Sequence, residues 1–522
     1  MGMVAPEQRI ASAFVVFCGN YGDVQHQALQ RGVCRQRLYR EAASVWVRVE
    51  GTQWQEENAR LRRQIRELEE RNEQLRKRLT QVVVLDQEKQ AEFACVGQSM
   101  GVSLSDLKTL LEVVMSGGAP SVATLGRWTQ EAGKKSAALL EVLDEWTRPR
   151  VQQVLADEIY VSRPALMMVE PESLTWVTGR LTEHVDGETW AEEFERVPHL
   201  EQVTRDAGSG LTKGVMELNR RRREQGKPAV ADQLDHFHTL REGARGVGRA
   251  ERAAKRAWSA LEKAEADRAQ RQRHGQPMTG CSNRLRACWP QATKAMEVWD
   301  KRDKAWQKTK EALTLFTSDG QLNTRARAEA NLAETLPQLP DETFGTTKRM
   351  LQQPQTLTYL DEIQRKLHAL PVPVEVRQAA VRQEGLRRRS ELLQGDNAQA
   401  AALRGVLLVC AVILAKAGKV GQQAVEAVRV ILRSCWRASS LVECVNSVLR
   451  MQQARHRKMS QGLIDLKRLY WNCHRFRTGR RRGHSPYELL GVPWPEGLRW
   501  WDVLKRSPEQ LRYKLSAVKM AA

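Results

Sequence analysis

Val151-Gln-Gln-Val-Leu-Ala-Asp-Glu-Ile-Tyr-Val161, Ala165-Leu-Met-Met-Val169 and Leu174-Thr-Trp-Val-Thr-Gly-Arg-Leu181 are three short runs rich in apolar and β-branched residues. Ser162-Arg-Pro164 and Glu170-Pro-Glu-Ser173 separate them, and both are turn sequences. Runs of this length between such turns predict an antiparallel three-strand meander. Working outward, Gly187–Arg196 has a helical pattern, Glu201–Arg205 reads as a short strand, Thr212–Gln225 as an Arg-rich helix and Ala229–His236 as a fifth strand. The order β-β-β-α-β-α-β predicts a mixed five-stranded sheet with helices against it, an α/β core.

Two aspartates stand out on this frame. Asp157 interrupts the apolar first strand, and Asp206 ends the fourth, leading into Ala-Gly-Ser-Gly210. Functional groups collect at strand ends in open α/β sheets, because short loops let side chains converge there. Taken singly, a strand Asp is more often a satisfied polar residue, and an Asp before Gly only a turn. A third acid lies far downstream in Ser439-Ser-Leu-Val-Glu-Cys-Val-Asn-Ser-Val-Leu-Arg450, whose spacing predicts a helix. Leu441, Val445, Val448 and Leu449 share one side; Glu443, Asn446, Ser447 and Arg450 recur three and four apart on another. Ser440-x-x-Glu443 is also a capping box, so Glu443 has a purely local use, its carboxylate folding back onto the Ser440 amide.

The central Asp in a three-strand meander, the Asp ending the fourth strand and the late helical Glu together resemble the ribonuclease-H-like core of a DDE transposase. Tyr470-Trp-Asn-Cys-His-Arg475, followed by Arg480-Arg-Arg-Gly-His-Ser-Pro-Tyr-Glu-Leu-Leu490, resembles the segment closing such domains in bacterial insertion-sequence transposases and retroviral-type integrases. Gln233-Leu-Asp-His-Phe-His238 resembles the end of the fifth strand in members that carry an insertion there. The resemblance covers residues 150–238 and 434–491. It implies a ribonuclease-H-like catalytic core interrupted by a large all-α insertion, and metal-dependent DNA strand cleavage and strand transfer. Asp157, Asp206 and Glu443 would be both the catalytic acids and the ligands of Mg²⁺ or Mn²⁺, two ions in all. Glu426 and Glu375 are alternative third acids, but neither precedes a helix leading into the Tyr-Trp-Asn segment. Two divalent ions about 4 Å apart activate the attacking oxygen and stabilise the leaving one in such displacements. Arg205, Lys213, Asn446, Arg450, Arg480 and Arg481 become candidates for contacts to DNA, with plain solvated charge as the bland reading of each.

The flanks suit that reading. Residues 1–50 read as a helix-turn-helix unit. In it Ala28 and Leu38 pack two helices about a turn at Gly32, and Arg35, Arg37 and Arg40 face DNA. Residues 51–90 hold the strongest periodicity: Asn58, Leu61, Ile65, Leu68, Asn72, Leu75, Leu79 and Val82 step by three and four. With leucine at d, Asn58 and Asn72 fall at a, where asparagine fixes register and favours a parallel pair, so this segment is expected to dimerise. Residues 91–148 read as a second helical segment, with Ser103 and Ser121 as N-caps around a Gly117-Gly-Ala-Pro120 turn and a further helix at Ser136–Trp146. Residues 149–238 and 434–495 form the two parts of the α/β core, 239–433 the helical insertion and 496–522 a C-terminal tail.

Charge bears on partners. The chain of 522 residues has 83 Lys and Arg against 62 Asp and Glu, a formal net charge of +21. That balance points to a polyanion, with double-stranded DNA (element ends and target) first and a membrane surface as its rival. The most apolar run, Gly405–Ala415, is shorter than a membrane span and reads as a buried helix. Nine cysteines without a Cys-x-x-Cys pair suit a reducing cytoplasm and argue against structural zinc, and most of the 15 tryptophans read as core. The competing function class is a non-catalytic, dimeric DNA-binding protein derived from a transposase.

Overall fold

The computed structural model describes residues 5–19, 22–49, 52–81, 85–115, 118–394, 397–453 and 459–521. The chain divides into two compact units, Met1–Asp86 and Gln87–Ala522.

In the first unit, α1 (Pro6–Cys18), α2 (Asp23–Gln30) and α3 (Arg35–Val49) form a small helical group, followed by α4 (Thr52–Gln81). Gly32 turns the chain between α2 and α3 with φ +63°, a left-handed conformation that favours glycine. Ala28 and Leu38 are buried, as the helix-turn-helix reading requires. Arg35 and Arg40 are exposed, whereas Arg37 is engaged 3.2 Å from Glu41, which also pairs with Arg31 at 2.9 Å. In α4 the seam residues Leu61, Ile65 and Leu68 are all exposed, and so is Asn72, while Asn58 is half-buried. The side chains of Leu75 and Leu79 lie outside the described residues, as does Val82.

The second unit opens with α5 (Gln87–Ser99), α6 (Leu104–Met115) and α7 (Val122–Thr147). Ser103 and Ser121 do accept the capping amides of Asp106 and Thr124. Gly117 of the expected turn lies outside the described residues. The helix expected at Ser136–Trp146 is the second half of α7, since nothing between Val122 and Thr147 breaks it.

The sheet follows: β1 (Gln153–Tyr160), β2 (Pro164–Val169), β3 (Trp176–Leu181), α8 (Gly187–Glu195), β4 (Gln202–Arg205), α9 (Ser209–Glu224) and β5 (Ala231–Leu234). Strand order is β3-β2-β1-β4-β5, with β1–β3 antiparallel and β4 and β5 parallel to β1. The expected element order is the observed one; β1, β3, β4 and β5 lie within their predicted limits, and β2 begins one residue early, at Pro164. Alternation splits β1 between two cores: Val154 and Ala156 pack toward α8 and α9, Leu155 and Ile159 toward the C-terminal elements.

Between β5 and the return to the sheet the described chain is almost wholly helical. The long α10 (His236–Arg273) packs on α11 (Thr279–Ala312). Next come α12 (Arg325–Thr335), α13 (Asp341–Leu351), α14 (Thr358–His368), α15 (Val374–Arg388), α16 (Ala398–Lys416) and α17 (Gly418–Arg433). Their core holds Trp306, Phe344 and Tyr359. This body docks on the end of β5, where the Gln233 amide and the His236 ring both reach the Thr356 carbonyl and the Tyr359 amide donates to Gln233. The expectation of a buried helix at Gly405–Ala415 is overturned. In α16 only 22% of the apolar window is buried, and Leu408, Val409 and Val412 face solvent because α15 and α17 cover one side alone. By length and composition, though not by any other property, this helix is long enough to cross a membrane. Trp258 and Trp289 are likewise exposed rather than core.

The chain ends with α18 (Val442–Gln453), α19 (Gln461–Cys473), α20 (Pro486–Leu489), α21 (Trp500–Leu504) and α22 (Pro508–Ala521). The last two pack with α7, so residues 496–521 are an integral layer rather than a tail. The Tyr470-Trp-Asn segment braces β3. Asn472 accepts from the Trp176 amide at 2.8 Å, donates to the Trp176 carbonyl at 3.0 Å and reaches the Tyr487 hydroxyl at 3.3 Å, all in the interior. Asn472→Ala leaves the buried Trp176 amide without its partner, at about 1–3 kcal/mol for a group left unsatisfied, while the Trp176 carbonyl keeps the Arg468 guanidinium at 2.9 Å. The expected outcome is a melting temperature lower by a few degrees; an unaltered melting curve rejects the bracing role.

Candidate active site

Strand register sets the geometry. Ala156 lies beside Arg205, and Arg205 beside Leu234, so the next residues, Asp157, Asp206 and Asp235, stand at one level along the C-terminal edge of the parallel strands. Adjacent strand backbones there are about 4.8 Å apart. Asp157 shares the parity of Leu155 and Ile159, hence the face covered by α18. Asp206 shares the parity of Gln202 and Thr204, whose side chains bond the Trp436 carbonyl on that same face.

The helix carrying Glu443 begins at Val442, one residue later than a cap at Ser440 would require. No hydrogen bond joins the Glu443 carboxylate to the Ser440 amide, so the capping box does not form. Val442, Val445 and Leu449 are the buried apolar stripe, and Asn446 is buried with them instead of facing solvent. Its Nδ2 donates to Asp157 Oδ2 at 2.7 Å. Arg450 Nη1 sits 2.7 Å from Glu443 Oε2. It is out of line for a hydrogen bond, so that buried oxygen keeps an ionic neighbour but no hydrogen-bond donor. Asn446 Oδ1 is likewise buried without a donor.

Electrostatics at this edge are strongly negative. Burial, then the charge of Asp206, pushes the Asp157 carboxyl up to about 6. The Glu158 amide opposes this, Glu443 adds to it, and His238 partly offsets it. Asp206 Oδ1 accepts only the local Gly208 amide, at 2.8 Å. Among the described residues, no three His, Cys, Asp or Glu side chains are grouped closely enough to hold a metal ion.

Other expected contacts fall elsewhere. Arg205 is completely buried: its guanidinium pairs with both Asp232 oxygens at 2.8 and 2.7 Å and bonds the Asp206 carbonyl and the Thr212 hydroxyl. It holds β4 to β5 and cannot reach DNA. Lys213 is exposed on α9. Arg481 bonds the carbonyls of Pro171 and Glu172, and Arg480 lies over the Trp436 ring and 3.6 Å from Glu172, so both secure the β2–β3 turn.

No family model, curated protein or solved structure matches the chain. The site rests on its own geometry.

Sequence reasoning assigned no role to Asp235 and His238. Asp235 is fully buried, caps α10 through the amides of Phe237 and His238, accepts the Ser439 amide at 2.8 Å and bonds His238 Nδ1. Burial alone would raise its pKa, but His238 and the Ser439 and Phe237 amides hold it below the usual range. His238 is raised in turn, first by its bond to Asp235, with Asp157 contributing. The Asp-x-x-His spacing just after a strand was the available signal.

For Asp157 the folded pKa lies above the unfolded one, so the folded state binds the extra proton between about pH 4 and 6, and stability falls as pH rises through that window. Above it the buried charge costs about 2–3 kcal/mol. Asp157→Asn is therefore expected to melt higher than the parent chain at pH 8 and to match it below pH 4. Parallel melting curves at every pH would show that Asp157 carries no such penalty.

Proposed function

We propose that the chain is a metal-dependent DNA strand transferase of the DDE type, the transposase of an insertion sequence, built on a ribonuclease-H-like core. The single observation carrying this reading is that acids 49 and 286 residues apart in sequence from Asp157 (206 − 157 and 443 − 157) both act on its charge at one sheet edge. The element order β-β-β-α-β-α-β supports the core assignment, and the helical segment 239–433 then enters as an insertion between β5 and α18.

The residues suit a hard divalent cation. Carboxylate oxygens are the donors Mg²⁺ and Mn²⁺ prefer, and the edge has negative charge that the protein leaves partly uncompensated, including an undonated Glu443 oxygen. Asp157, Asp206 and Glu443 are the residues that would hold the ions, and their side chains would have to draw closer together to do so. When bound, such ions activate the attacking oxygen and stabilise the leaving one. The chain's own contributions are positional: Asn446 fixes the Asp157 carboxylate, Asp235 ties the lead-in of α18 to β5, and Arg450 is the counter-charge that Glu443 exchanges for a ligand. Water is the nucleophile for nicking, and the freed 3′-hydroxyl for strand transfer.

The first unit would bind element ends through Arg35 and Arg40 and dimerise through α4, whose exposed Leu61, Ile65 and Leu68 lack a partner within the described residues of one chain. All nine cysteines are free, which supports a reducing cytoplasm. A second reading, a DNA-binding relative without catalysis, draws on Asn446 and Arg450 occupying two of the acids.

Asp157→Ala is expected to abolish Mg²⁺-dependent cleavage of the element's own ends while electrophoretic binding to those ends persists. Cleavage at the parental rate rejects the enzyme. Leu68→Pro, in the middle of α4, is expected to convert dimers to monomers in sedimentation; a persistent dimer places the interface elsewhere.

A further inference from the structure

The turn that leaves β5 has features the acids do not use. Phe237 is 36% exposed at the start of α10, beside the Asp235 that holds the sheet edge. The His238 ring meets it edge-on at 5.4 Å, and the Arg241 guanidinium lies over it at 5.5 Å. Because Asp235 takes the amides of both Phe237 and His238 and also His238 Nδ1, the His238 ring is held in place and only its Nε2 is left to a ligand. Arg241 is exposed and makes no ion pair among the described residues, unlike Arg205, Arg450 and Arg480, which are all engaged.

An exposed ring between an imidazole and a guanidinium matches one ligand well. A base has a π-face for the ring, and its phosphates take the charges. Inside a duplex both faces of each base are already stacked, and at a blunt end pairing keeps the base and its phosphate in the helix, so a base must be unpaired to use the site. Strand register sets Asp235, which holds the amides of Phe237 and His238, level with Asp206 and Asp157, so the cluster lies beside the acids rather than on a distant surface.

We propose that Phe237, His238 and Arg241 form a subsite for an unpaired nucleotide at a DNA strand end, the base stacking on Phe237 and its phosphate lying on His238 and Arg241. Asp235 acts as the positioning residue. The inference rests on the DNA-processing reading above but concerns binding alone.

The test uses the full chain without added metal and a duplex carrying a fluorescent adenine analogue in an unpaired 3′ end, compared with a blunt, fully paired duplex. Binding is expected to quench the fluorophore. Phe237→Ala should lose the quenching and bind the frayed duplex about tenfold more weakly, with blunt-duplex affinity unchanged, and Phe237→Trp should restore both. His238→Gln should reduce the slope of log affinity against log salt by about one. Equal quenching in Phe237→Ala, or equal loss on blunt and frayed duplexes, overturns the stacking role; an unchanged salt slope overturns the phosphate contact. A parent chain that quenches through Phe237 yet never cleaves would end the transposase reading and leave this subsite standing.

Discussion

One buried carboxylate joins the place where the chain leaves the sheet to the place where it returns. Asp235 caps α10, which begins the excursion of nearly two hundred residues into the helical body, and accepts the amide of Ser439, which precedes α18. A carboxylate with several amide donors and an imidazole nitrogen against it is stable without water, since each lone pair that burial strips of solvent is given a partner. The loop spanned by this contact is long, and closing it carries an entropy cost that grows slowly with length. A few charge-assisted bonds at the closure point, together with the docking of Thr356 and Tyr359 on β5, therefore suffice to return α18 to a fixed position.

The opposite treatment of Asp157 follows from that rigidity. Its carboxyl is buried as thoroughly, but its partners are one neutral amide from Asn446 and one backbone amide from Glu158, while Asp206 and Glu443 press on it with like charge. Two buried acids at one sheet edge thus have pKa values displaced in opposite directions. Such a split marks a division of labour: Asp235 is satisfied and structural, and Asp157 is held in a costly state that an added cation would relieve.

Legibility in the sequence tracked the range of the determining forces. The strands of the meander, the caps at Ser103 and Ser121 and the Gly32 turn depend on neighbours a few residues away, and their spacing exposed them. The side taken by Asn446 did not: Glu443, Asn446 and Arg450 share a helical stripe on paper, yet α18 lies on β1 so that Asn446 points inward to Asp157 and Glu443 stays at the rim. The capping box failed for a similar reason, because Ser439 is tied to Asp235 and the helix starts only at Val442. The apolar run in α16 misled because periodicity says which residues are greasy, not whether another helix arrives to cover them.

Net charge was the least local signal and the least informative about position. Several of the arginines that make the chain basic are structural bolts: Arg205 clamps Asp232 between two strands, Arg468 joins Asp144 to the Trp176 carbonyl, and Arg481 holds two carbonyls of a turn. A guanidinium suits these interior posts because its planar fork satisfies several acceptors at once. The charge left for a polyanion is therefore what remains after the fold has taken its share. On the edge bearing the acids, Arg241 belongs to that remainder, and a cation set beside the carboxylates is what would bring a phosphate backbone close to groups that would otherwise repel it.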